Sequence, residues 1–189
     1  MIYYLNVANT LLMIAVVMVI TVQDCISSKI KNNLVLLLLL SGFIFSQLTG
    51  VSFSKQVQFF GGLCVGFLLF LLVYCAKITS AGDVKYFGAL SAILGLDNVL
   101  YFFVSTIIFG GVYAFLLIAL HGEIVPGLRR IKVGLTHYVA NRVLIFEERP
   151  KDSILGKKFP YAIAITSGAV LTVINKEPLM FSGYLDFLL

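Results

Sequence analysis

Of the nine Asp and Glu in the chain, two have a position that chemistry could use. Asp24 follows the first long apolar run, and Asp83 precedes the fourth, directly after Ala81-Gly82. Carboxylates at membrane depth are costly and usually face a cavity or a partner. Two that share a site cannot both ionise readily, so they hold one proton between them at intermediate pH. Such a pair can take a proton from water attacking a carbonyl, while the protonated partner hydrogen-bonds that carbonyl and later assists the leaving group. Asp83 is expected at a helix N-terminus, which favours its anion, and Asp24 at a helix C-terminus, which does not; on this ground Asp83 is the expected base. The alternative is that each Asp marks a helix end or pairs with Lys29 or Lys85. Of the remaining acids, Asp97, Glu177 and Asp186 are expected in solvated connections or the tail, and Glu123, Glu147, Glu148 and Asp152 in one hydrophilic segment.

The elements that must position the two aspartates are apolar throughout. In 189 residues, 60% are hydrophobic and 12% charged, which excludes a disordered chain and a water-soluble enzyme and points to an all-α polytopic membrane protein. Six transmembrane helices are predicted, at Ile2–Gln23, Leu34–Gly50, Val57–Ala76, Val84–Leu96, Val99–Leu120 and Phe159–Asn175; the fourth and sixth are short for a bilayer. The first is expected to be retained rather than removed as a signal peptide. Of the 14 Lys and Arg, all but Lys55 and Lys176 fall in the connections after the first, third and fifth spans or, for Lys85, at the adjoining start of the fourth. Cytoplasmic loops carry such an excess. The N-terminus is therefore expected outside, with three basic loops and both aspartates at the cytoplasmic face.

The formal charge of +5 thus reports topology, and no aromatic-interleaved basic surface suggests nucleic acid. Residues 121–158 are expected to form a cytoplasmic loop in which Leu128, Ile131, Leu135, Tyr138, Val139, Val143 and Phe146 recur at helical spacing, as in an interfacial amphipathic helix that either anchors to anionic lipid or serves as a lid or docking surface for a partner. Cys25, Cys64 and Cys75 have no metal or disulfide spacing and are expected to pack as small hydrophobes. His121 and His137 are isolated, so no metal site is expected. Gly61, Gly62 and Gly66 suggest close helix packing.

Three segments resemble the prepilin peptidases, the type IV leader peptidases among GxGD membrane aspartyl proteases. Asp24-Cys25-Ile26-Ser27-Ser28-Lys29-Ile30-Lys31-Asn32 is similar to that family's Asp, basic stretch and Ile-Pro-Asn, with Lys31 in place of Pro. Ser80-Ala81-Gly82-Asp83-Val84-Lys85 resembles Gly-x-Gly-Asp-Val-Lys, with Ser80 in place of the first Gly. Phe159-Pro160-Tyr161-Ala162-Ile163-Ala164 resembles the segment opening the family's last helix.

The resemblance implies that Asp24 and Asp83 are catalytic, that no cofactor is needed, and that the partners are the bilayer and precursors of type IV pilins or pseudopilins. Cleavage of their basic leader would occur at the cytoplasmic face of the inner membrane, within one integral-membrane domain spanning 1–189. The chain has no room between its first two spans for a methylating domain, which implies the short, peptidase-only form found with Tad/Flp pili; archaeal preflagellin peptidases share the chemistry. Ser80 would matter if its position needed a positive φ. Gly82 either makes the turn or lets the chain approach Asp83, Lys85 either favours the Asp83 anion or snorkels to headgroups, and Asn32 either bonds near the site or caps the next helix. Pro160 and Tyr161 either line the substrate groove or simply open a helix at the interface. The competing class is a non-catalytic membrane scaffold or a small transporter; the transporter would be expected to show midplane charges and inverted repeats. Nothing in the sequence sets the oligomeric state.

Overall fold

The computed structural model describes residues 2–27, 30–48, 52–120 and 160–175. Among them every long element is an α-helix: α1 Ile2–Ser27, α2 Asn32–Leu48, α3 Phe53–Cys75, α4 Ala81–Leu94, α5 Val99–Leu120 and α6 Ala162–Asn175, with a 3₁₀ turn at Leu96–Asn98. The four prolines, Pro126, Pro150, Pro160 and Pro178, all fall outside these helices, so no backbone donor is lost within them. The amphipathic segment expected in 121–158 lies outside the described residues, as do Lys29, Lys176, Glu177 and Asp186. The chain divides into two compact units, Met1–Gly110 with Pro160–Leu189, and Gly111–Phe159. The helix packing described next lies within the first.

The fourth span, doubtful by length, is the centre of that unit. Every residue of α4 from Asp83 to Leu94 except Lys85 is buried, against α2, α3 and α6. A helix covered by protein does not need the length of a bilayer. Its approach to α3 is set by glycine, as expected for Gly62 and Gly66: a side chain at Gly62 would strike the Ser91 carbonyl, and one at Gly66 the Ser91 side chain. Phe87 of α4 lies stacked between Phe70 of α3, at 4.4 Å, and Phe102 of α5, at 4.2 Å. Offset aromatic pairs at such spacing add stability beyond their buried area.

The outer surface is apolar. Leu36, Leu40, Phe60, Leu68, Leu72, Val104 and Ile108 are all exposed, and both α3 and the segment Leu96–Leu117 are long and apolar enough to cross a membrane. The three cysteines correct the expectation of core packing, since Cys25, Cys64 and Cys75 are free and exposed. Asp97 is exposed as expected but not merely solvated. Its carboxylate accepts from Gln58 Nε2 at 2.7 Å and its N–H donates to Gln58 Oε1 at 3.2 Å, fastening the end of α4 to α3.

Helix α3 ends without glycine. Lys77 has φ 58°, its N–H donates to Tyr74 O at 2.8 Å, and the Ile78 N–H reaches back to Val73 O at 3.4 Å, the paired bonds of a Schellman cap. A side chain in this left-handed region costs roughly 1–2 kcal/mol. Lys77→Gly is therefore expected to stabilise the fold by about 1 kcal/mol, roughly 2–4 °C in thermal unfolding of the detergent-solubilised protein.

Candidate active site

Asp83 is held by the local fold of its own helix. Ser80 precedes α4 in an extended conformation, φ −93° and ψ 160°, a geometry open to any residue, so the position has no need of glycine. The Ser80 N–H donates to Asp83 Oδ2 at 2.8 Å, and the Asp83 N–H to Ser80 Oγ at 3.4 Å. This reciprocal capping box satisfies two backbone donors. It uses one carboxylate oxygen only: Asp83 Oδ1 is buried with no hydrogen-bond partner.

Asp24 is held by a distant helix. Helix α1 runs three residues past it to Ser27, so Asp24 is a helical residue in the last turn of α1, near the C-terminus as expected. The Tyr161 carbonyl accepts from the Ile165 N–H at 3.1 Å, which leaves Ala162 as the first helical residue of α6 with a free N–H. That group donates to Asp24 Oδ2 at 3.1 Å. Both carboxylates thus sit at helix N-termini, Asp83 at its own and Asp24 at that of α6. The helix-end asymmetry expected between them is absent, because α6 offsets the C-terminal position of Asp24 on α1.

Among the described residues, Asp24 and Asp83 are the buried charged side chains, each 3% exposed. Asp24 acts electrostatically on Asp83 and on Tyr86, and Asp83 on Tyr161. Burying an ion costs of order several kcal/mol even after relaxation. One accepted backbone bond apiece is a weak offset, which argues for a use other than stability.

The supporting residues divide. Lys85 is exposed and its Nζ donates to Asn32 Oδ1 at 3.1 Å; it is turned to α2 rather than to Asp83. Asn32 is the first residue of α2, whose opening N–H bonds run to Lys31 O, so its side chain ties α2 to α4 and does not cap. Gly82 makes no turn: it lies in the first turn of α4, and a Cβ there would meet Ile30 Cβ at 3.2 Å. Its smallness lets the chain after α1 close over the turn that carries Asp83. Tyr161 is buried rather than interfacial, edge-on to Phe70 at 5.8 Å. Pro160 is half-buried immediately before it. No cluster of three or more His, Cys, Asp or Glu occurs among the described residues; His121 and His137 lie outside them.

Reading the sequence missed Thr21, Tyr86 and Thr166, whose hydroxyls meet beside this centre. Each alone is an ordinary residue of an apolar helix. Only their shared spacing of about one turn from Asp24, Asp83 and Ala162 was available as a signal.

Comparison with curated proteins and with solved structures gives no significant match. A model of the type IV leader peptidase family does match, over residues 11–115. That stretch includes Asp24, Asp83 and the five helices or parts of helices from α1 to α5, while Pro160-Tyr161 and α6 lie beyond it. It covers more than half of the 189 residues, and the chain, a membrane-type helical peptidase, belongs to the type IV leader peptidase family.

Proposed function

We propose that the protein is a membrane aspartic endopeptidase that removes the short basic leader of type IV prepilins or pseudopilins at the cytoplasmic face of the inner membrane. What supports this reading is that Asp24 and Asp83 are both buried carboxylates, on separate helices, and that one oxygen of Asp83 has no hydrogen-bond partner. Asp83 Oδ1 takes a proton from water, and the resulting hydroxide attacks the scissile carbonyl carbon. Asp24, protonated, hydrogen-bonds the carbonyl oxygen. The tetrahedral intermediate then collapses as the carboxyl pair returns a proton to the departing nitrogen, which leaves as an amine. The roles belong to the pair, since coupled carboxyls titrate as a unit.

The test is co-expression with a prepilin, with leader removal followed by gel shift in the presence and absence of a chelator. Cleavage by the wild type that is insensitive to the chelator and lost in Asp24→Asn and Asp83→Asn is expected. Cleavage by both variants would refute the two-aspartate mechanism; an inactive wild type on several prepilins would favour a scaffold.

The charge distribution supports the orientation with the N-terminus outside and the multi-pass topology, and exposed cysteines supply a check. Single-cysteine variants retaining Cys25 or Cys75 are expected to react with an impermeant maleimide in inverted vesicles and not in sealed spheroplasts. Cys64, midway along α3, is expected to react in neither. Labelling of Cys25 from the outside would reverse the topology and move the site to the wrong face for prepilin leaders.

A further inference from the structure

Helices α1 and α4 carry the two aspartates but have little direct contact; both pack on α2 and α6. Their relative register must therefore pass through an intermediary. On the α6 side it passes through three hydroxyls. Thr166 Oγ1 lies 2.8 Å from Tyr86 Oη and 2.8 Å from Thr21 Oγ1, joining α4, α6 and α1 at one point. Thr21 Oγ1 donates to Val17 O at 2.9 Å.

The direction of the chain follows from counting protons. A hydroxyl has one to give. Thr21 gives its proton to Val17, so Thr166 must give to Thr21, and Tyr86 to Thr166. Every donor is used, and Tyr86, fully buried, has no water to turn to. The layer sits about one helical turn from each group of the site: Thr21 before Asp24 on α1, Tyr86 after Asp83 on α4, and Thr166 after Ala162, whose N–H holds Asp24. Residues at such spacing share a helix face.

We propose that Thr21, Tyr86 and Thr166 are positioning residues that hold the two carboxylates at their reacting separation, a role that rests on the aspartic peptidase reading above. They do not touch the reacting atoms. Their contribution is to reduce relative sliding and rotation of α1 and α4, and a misplacement of about 1 Å at a reacting centre can cost on the order of 10²-fold in rate.

The test uses the full chain in detergent or nanodiscs with a prepilin that the wild type cleaves, measuring kcat and KM separately alongside thermal unfolding. Thr166→Val, which keeps shape and removes both bonds, is expected to lower kcat by about 10- to 100-fold with KM little changed, and Thr166→Ser to restore it. Tyr86→Phe removes the phenolic hydroxyl from the layer, keeps the packing and the Thr166–Thr21 bond, and is expected to lower kcat less. It also decides the matter if Thr166→Val does not fold. Wild-type kcat in Tyr86→Phe, or failure of Thr166→Ser to rescue, would overturn the positioning role while Asp24→Asn and Asp83→Asn, inactive in the same assay, left the peptidase reading standing. Cleavage by both of those asparagine variants would remove that reading and the proposal together.

Discussion

Asp83→Asn and Asp24→Asn are each expected to lower the cleavage rate by on the order of 10³-fold or more, within the upper range that one general acid or base contributes, without loss of folded protein. The second half of this result separates function from architecture. An asparagine carbonyl can accept the Ser80 N–H at 2.8 Å and the Ala162 N–H at 3.1 Å as the native carboxylates do. The helix caps therefore survive, and a buried ionisable group is replaced by a neutral one of the same size. Thermal unfolding is expected unchanged or raised, the usual direction when a costly functional group is neutralised. A large fall in melting temperature in step with activity would instead assign the carboxylates a structural role. Rate and stability should be measured on the same preparations.

Gly62→Ala and Gly66→Ala are expected to lose most of the folded protein, against the ordinary trend for glycine in helices. Alanine is normally better in a helix interior by about 1 kcal/mol. At Gly62 the obstacle is the Ser91 carbonyl and the backbone of Gly95, and backbone cannot rotate aside. Relief requires α3 to move away from α4, which would open the Phe70–Phe87–Phe102 stack. Overpacking commonly costs about 1–3 kcal/mol and sometimes more, a large share of the roughly 5–15 kcal/mol available to a domain. Gly111 is the control, because a Cβ there meets nothing within 4 Å among the described residues, so Gly111→Ala is expected to be neutral or mildly stabilising. Size-exclusion profiles and melting curves of the three variants would distinguish close helix contact from a general intolerance of change.

What could be read from the chain beforehand depended on whether a signal was local. The apolar runs located the six long helices among the described residues, and the limits of α5, Val99–Leu120, agree with the expectation. Helix ends were less legible: polar residues such as Asp24 and Ser27 remain helical, because a boundary in hydropathy is not a boundary in backbone hydrogen bonding. Helix α4 was undervalued for a related reason, since Lys85 and its short length weaken the hydropathy of a segment that other helices cover. The cysteines misled because an apolar residue in this chain has two destinations, the core and the outer surface, and composition does not choose between them. At the site, the aspartates stood out as costly charges, while the Asp24–Ala162 bond and the hydroxyl layer join residues too far apart in sequence to be paired by spacing.

The bond from the Ala162 N–H to Asp24 also sets a clock on biogenesis. Its partners are 138 positions apart, a stretch that takes roughly 7–28 s to synthesise at about 5–20 residues per second. Through that interval α1 is already made and Asp24 has not yet met its donor. The Asp24 carboxylate is thus completed by the last of the described helices to be made, and its hydrogen bond exists only once α6 has docked against α1.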